Sequence, residues 1–99
     1  MAGIPILLKI AGLEYEVILA DNLIIERGNT GECNTLKQTI SLERANRPDK
    51  QKEVLLHEIL EAINGHYNIG MDHHQLSLVS VAINAVLVDN EHLRKYFLA

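Results

Sequence analysis

His57, Glu58 and Glu61 lie close together in one largely apolar stretch, Glu53-Val54-Leu55-Leu56-His57-Glu58-Ile59-Leu60-Glu61-Ala62-Ile63-Asn64. On a helix, residues four apart share a face. His57 and Glu61 could then hold one metal ion between an imidazole and a carboxylate. Glu58, next to His57, could take a proton from a water activated at that ion. A catalytic zinc site uses three N or O ligands and keeps one position open, so a third ligand must come from elsewhere. The other histidines are His66, His73, His74 and His92. His66 follows close behind the stretch. His73 and His74 open the next apolar segment and could fold back over the first. Two imidazoles and one carboxylate form an established zinc set, and a His/carboxylate set also suits other divalent transition metals.

The same residues have a plainer reading. At about 100° per residue, Leu55, Leu56, Ile59, Leu60 and Ile63 form one broad apolar face. His57, Glu61, Glu53 and Asn64 fall opposite, with Glu58 at the margin, and the far side of a surface helix is normally polar and solvated. His73 and His74 could simply decorate a helix start, and His66 and His92 read as surface residues. Cys33 has no identifiable base nearby in sequence, which argues against a nucleophile. Gly28 and Gly31 make no phosphate-binding pattern.

The elements that must position these groups can be read along the chain. Ile4 to Ile10 is an apolar, β-branched run. After Ala11-Gly12, Leu13, Tyr15, Val17 and Leu19 alternate with Glu14 and Glu16. Two strands around a tight glycine turn are expected. Leu23-Ile24-Ile25-Glu26 reads as a short third strand, Arg27 to Gly31 as a loop, and Asn34 to Leu42 as a further strand. Asn46-Arg47-Pro48-Asp49 starts a helix, since proline is tolerated in a first turn. That helix should run from about Asp49 to Asn64 or Tyr67, with Asn64-Gly65 ending or distorting it. Asp72 and Gln75 form a capping box for a second helix from Asp72 to Asn90. Its polar wedge is only Ser77, Ser80 and Asn84, so it should be buried or lie in a subunit interface. A homo-oligomer formed through this second helix is therefore expected. Glu91 to Leu98 continues as a short terminal helix. The fold class is α+β, with a small antiparallel sheet packed on two main helices.

The whole chain narrows the classes. Its 99 residues suit a single domain, 1–99, with a modest core. Thirteen acidic against nine basic residues give a net charge of -4; with no basic run, nucleic acid is not an expected partner. The apolar stretches are too short or too interrupted to span a bilayer, so no membrane association is expected. The apolar start is followed by Lys9 without a cleavage-site pattern, unlike a signal peptide. One cysteine cannot form an internal disulfide, which fits the cytoplasm.

The pattern at 57–61 differs by one residue, Glu61, from the His-Glu-x-x-His signature of zinc peptidases. The order of elements, a small sheet followed by a helix reading Leu-Leu-His57-Glu58-x-x-Glu61-Ala-Ile-Asn, resembles the minimal zincin-like metallopeptidase domain. It looks most like short phage and prophage proteins in which a second segment reads roughly Asp-His-x-x-(Ile/Leu)-Ser and an apolar helix ends Asp-Asn. Here that segment is Asp72-His73-His74-Gln75-Leu76-Ser77, ending Asp89-Asn90. The resemblance spans about Leu36 to Asn90. It implies a metallopeptidase-like hydrolase acting on a peptide or protein in a host-cell cytoplasm, with zinc or another divalent transition metal as cofactor. It also implies His57 and Glu61 as ligands or their relics, His73 as third ligand and Glu58 as catalytic acid/base. The chain departs from the family pattern at Glu61 and in the middle of the second helix, where many zincins supply a glutamate ligand and Val81 occupies the region. A carboxylate in place of an imidazole makes the ion less positive and its water less acidic. A non-catalytic zincin-like domain, working in binding or assembly through its apolar second helix, is the alternative.

Overall fold

A computed structural model of the chain describes residues 3, 4 and 6–99. Its elements, in chain order, are β1 (Leu7–Ile10), β2 (Leu13–Ala20), α1 (Leu23–Arg27), β3 (Gly31–Asn34), β4 (Thr39–Glu43), α2 (Pro48–His66), α3 (His73–Asp89) and α4 (Glu91–Leu98). The class is α+β, as the sequence indicates.

The sheet has the order β1-β2-β4-β3. The β1–β2 hairpin turns at Ala11 and Gly12, both with positive φ, and pairs Leu8 with Tyr15 and Ile10 with Leu13. Pro5, within the apolar run expected as the first strand, lies outside the described residues, and the observed strand begins at Leu7. β2 and β4 run parallel, with Val17 beside Ile40 and Leu19 beside Leu42. The sheet is therefore mixed, which corrects the expectation of a purely antiparallel one. The connection from β2 to β4 passes through α1 and β3, and this detour lets β4 return in the same direction as β2.

Two segments differ from the sequence reading. Leu23 to Glu26 is helical instead of a strand. The short α1 is bracketed by left-handed Asn22 and Gly28, and the Gly28 N–H bonds back to Ile24 O. Leu23 alone of its residues is buried. The single strand expected from Asn34 to Leu42 is instead a hairpin between β3 and β4. Asn34 Oδ1 accepts the Lys37 N–H at 2.9 Å, and Gln38 takes a left-handed conformation that L-residues rarely adopt. The chain therefore reverses over residues 35–38, leaving Leu36 91% exposed.

Tyr15, Val17, Ile40 and Leu42 face α2 and form the core with Ile10, Val54 and Ala62. The residues between them on β2, such as Glu16 and Ile18, face outward, as in a sheet covered on one side. Pro48 opens α2 at its first turn. Gln51 fastens that turn to β4 by donating from Nε2 to Glu43 O at 2.8 Å and accepting from Asn46 Nδ2 at 2.9 Å. The helix continues through Gly65 to His66, with Tyr67 as its C-cap, the longer of the two ends expected. Asn64 then pins the loop to α3, donating to Met71 O and accepting from Met71 N. The capping box is present, with Asp72 Oδ1 accepting Gln75 N–H and Gln75 Oε1 accepting Asp72 N–H. These two devices return α3 along α2 and set the position of His73.

Candidate metal centre

The buried stripe of α2 is Gln51, Val54, Glu58 and Ala62. This differs from the apolar face read from the sequence, since Leu55, Leu56, Ile59, Leu60 and Ile63 are only half-buried. Glu58 is thus 6% exposed, not marginal. His57 and Glu61 sit on the flank between the sheet edge and α3, with side chains 18% and 37% exposed. The expectation of a fully solvated polar side is corrected accordingly.

Gly31 makes this orientation feasible. A Cβ built at Gly31 would lie 2.6 Å from Val54 Cγ1 and 3.1 Å from Glu58 Oε2. Without a side chain there, edge strand β3 lies directly on α2, and the Glu58 carboxylate occupies the space. Cys33, two residues along the same strand, is half-buried nearby. Burial, then the Glu58 and Glu61 charges, push its thiol up to about 11. A thiol held so high is a poor nucleophile at neutral pH, in keeping with the sequence reading.

His57, Glu61 and His73 each offer a ligand atom, and these atoms lie within 4.8 Å of one another. His57 Nε2 is 3.9 Å from Glu61 Oε1. The His57 and His73 rings meet edge to face with centroids 5.2 Å apart. Around a tetrahedral ion with bonds near 2.1 Å, ligand atoms are about 3.4 Å apart. The His57–Glu61 separation of 3.9 Å is about 0.5 Å beyond that value. This group could hold a metal ion.

Two further properties favour an ion. Burial above all, opposed by Glu61, lowers the His57 pKa below its ordinary value, and a metal ligand must be the neutral imidazole. Ser80, buried on α3, places Oγ 3.5 Å from His57 Nδ1 and donates its own proton to Ser77 O at 2.9 Å. A proton on Nδ1 directed at Ser80 leaves the Nε2 lone pair beside Glu61, the arrangement by which an outer partner orients a histidine ligand. Ser80, not Val81, is the α3 residue that meets His57; Val81 is 47% exposed.

Glu58 faces the same cleft, a recess of about 580 Å³ that also includes Arg27, Glu32, Cys33 and Lys37. Burial first, then the nearby Glu61 and Glu32 charges, push its carboxyl up to about 7. No side-chain hydrogen bond holds it among the described residues. A carboxyl with these properties can accept and return a proton near neutral pH.

The other histidines do not join the group. His66 ends α2 and pairs with the buried Tyr15 hydroxyl, so it is more than a surface residue. His74 and His92 are exposed. Sequence reasoning missed Gly31, Ser80 and Asn64 as builders of the site. Their identities were visible, but the neighbours that give them a role are set only by the α2–β3 and α2–α3 packing. No described helix is long and apolar enough to cross a membrane. No protein-family model, curated protein or solved structure matches the chain.

Proposed function

We propose that the chain is a small zincin-like, metal-dependent hydrolase of the peptidase type. The observation that carries this reading is the convergence of His57, Glu61 and His73 from two helices, with buried Glu58 facing the same cleft. The donor set of two imidazoles and a carboxylate fits zinc or a similar divalent transition metal. When bound, such an ion supplies Lewis-acid polarisation of a carbonyl and acidifies water.

The chain's own residues account for the rest. His57 and Glu61 are held one turn apart on a helix whose first turn is fastened to β4, so their spacing is rigid. His73 is delivered by the Asn64 clasp and the capping box. Glu58 takes a proton from water as its oxygen bonds to the substrate carbonyl carbon, then gives that proton to the departing amine as the C–N bond breaks. Its raised pKa suits both halves of that exchange. These residues line the recess of about 580 Å³, into which an amide can enter.

Glu58→Gln is the test. The variant is expected to keep its metal and lose turnover on peptide substrates at least a hundredfold. Undiminished turnover would refute Glu58 as the proton carrier. A second reading, a non-catalytic domain working through assembly, is favoured by the exposed apolar surface of α3, where only Leu76 and Ser80 are buried.

A further inference from the structure

Helix α3 buries its polar side and leaves much of its apolar side exposed. Its polar wedge, Ser77, Ser80 and Asn84, faces α2 and is buried or half-buried. Leu76 packs inward with it, but most of the apolar residues are exposed, with Leu78 59%, Val81 47%, Val86 47% and Val88 55%. From Leu76 to Val88 the helix carries no charge. α4 adds Tyr96, Phe97 and Leu98, each at least 74% exposed. α3 alone offers on the order of 500 Å² of apolar surface, and the three α4 side chains roughly as much again. A monomer usually shows a patch of a few hundred Å², whereas each partner in a standard interface buries about 800 Å².

We propose that this face is covered by α3 of a second copy of the chain, packed antiparallel in one defined register. At about 100° per residue, the residues directly opposite the buried Leu76 and Ser80 are His74, Leu78, Ala82, Ala85 and Asp89. All five are exposed. This row is self-complementary when reversed. An axis between positions 81 and 82 sets Leu78 against Ala85 of the second copy, large on small, and brings Val81 opposite Ala82. It also sets His74 against Asp89 of the second copy, twice over. Asp89 then lies by the N-terminal end of the facing helix, where a negative charge is favoured. A parallel pairing would instead stack His74 on His74 and Asp89 on Asp89. The net charge of -4 and the neutrality of the α3 face give an anionic bilayer no electrostatic hold on this surface. Neighbouring histidines thus divide the work: His73 faces the metal centre and His74 the second copy. The proposal does not depend on metal binding or hydrolysis.

Sedimentation equilibrium of the full chain tests it. A mass of 22.2 kDa, twice that of the 11.1 kDa chain, is expected at ~100 µM, an ordinary dimer concentration range. Leu78→Asp should sediment as a monomer with unchanged far-ultraviolet circular dichroism, because Leu78 is outside the core. The register is tested by charge. His74→Asp should weaken the dimer about tenfold, by placing Asp opposite Asp89 at both ends. Adding Asp89→Arg should restore it by setting Asp against Arg at both ends, whereas a parallel pair would keep two like-charge contacts, Asp on Asp and Arg on Arg, and would not recover. A monomeric wild type overturns the proposal, whether or not it partitions onto lipid vesicles. A dimer that survives Leu78→Asp, or is not restored in the double variant, overturns it as well.

Discussion

A single methyl group at position 31 would collide with Val54 Cγ1 at 2.6 Å and crowd Glu58 Oε2 at 3.1 Å. Val54 is 5% exposed and packed in the core, so it has little room to yield. Gly31→Ala should therefore act as overpacking and cost about 1–3 kcal/mol of stability, measured by urea denaturation. The strand can relieve the clash only by moving away from α2, which also displaces the carboxylate. On the proposed function, the variant should lose catalytic rate more than metal content, since the atoms nearest that methyl belong to Val54 and Glu58 and not to a proposed ligand. A variant as stable as the wild type would show that β3 does not press on α2 as described. Glu58 is the other residue whose surroundings decide its chemistry. Its raised pKa comes from burial and nearby acids, whereas the motif supplies only its identity.

Glu43 joins three elements at the end of β4. Its carboxylate accepts the Ile24 N–H of α1 at 3.1 Å and the Ala45 N–H of the following turn at 3.1 Å. Those backbone hydrogen bonds, Ala45 first, hold its pKa below the ordinary carboxylate value. A carboxylate with a lowered folded-state pKa adds stability above its unfolded pKa, and that stability is lost as pH falls through the folded value. Below about pH 4, where Glu58 is protonated in both the folded and unfolded states, urea midpoints should accordingly drop as pH is lowered further, and Glu43→Gln should flatten part of that fall. An acid limb unchanged in the variant would contradict the role given to Glu43. Local signals made some elements readable in advance. The β1–β2 alternation, the proline start of α2, the Asp72–Gln75 capping box and the run Glu91 to Leu98 all lie within short windows. The remainder depended on distant partners. Leu23 to Glu26 is rich in β-branched residues, yet left-handed Asn22 and Gly28 close it into a helical turn. Asn34 to Leu42 alternates like one strand, yet Asn34 and Gln38 fold it into a hairpin. The parallel β2–β4 pairing follows from that reversal and has no local signature.

Across the whole molecule, α2 lies between the sheet and α3 and gives each neighbour a different chemistry. Toward the sheet it presents Val54 and Ala62 for packing and Glu58 for the cleft. Toward α3 it presents His57, which meets Ser80 and His73. The spacing of His57 and Glu61 was legible in the sequence because one helical turn fixes it. Spacing alone does not choose His73 over His66 and His74; only the family resemblance points to it. His66 is taken by Tyr15, and His74 points away from α2. Because its polar wedge packs inward beside Leu76, α3 leaves most of its apolar side exposed, and the candidate ligand His73 and the proposed dimer surface lie on different faces of one helix. Elemental mass spectrometry of untagged protein dialysed against zinc, with His57→Ala and His73→Ala alongside, measures whether His57, Glu61 and His73 bind a divalent metal. About one zinc per chain is expected, lost in both variants while His74→Ala retains it; no zinc in the wild-type protein, or zinc kept by both variants, would overturn the assignment of these ligands.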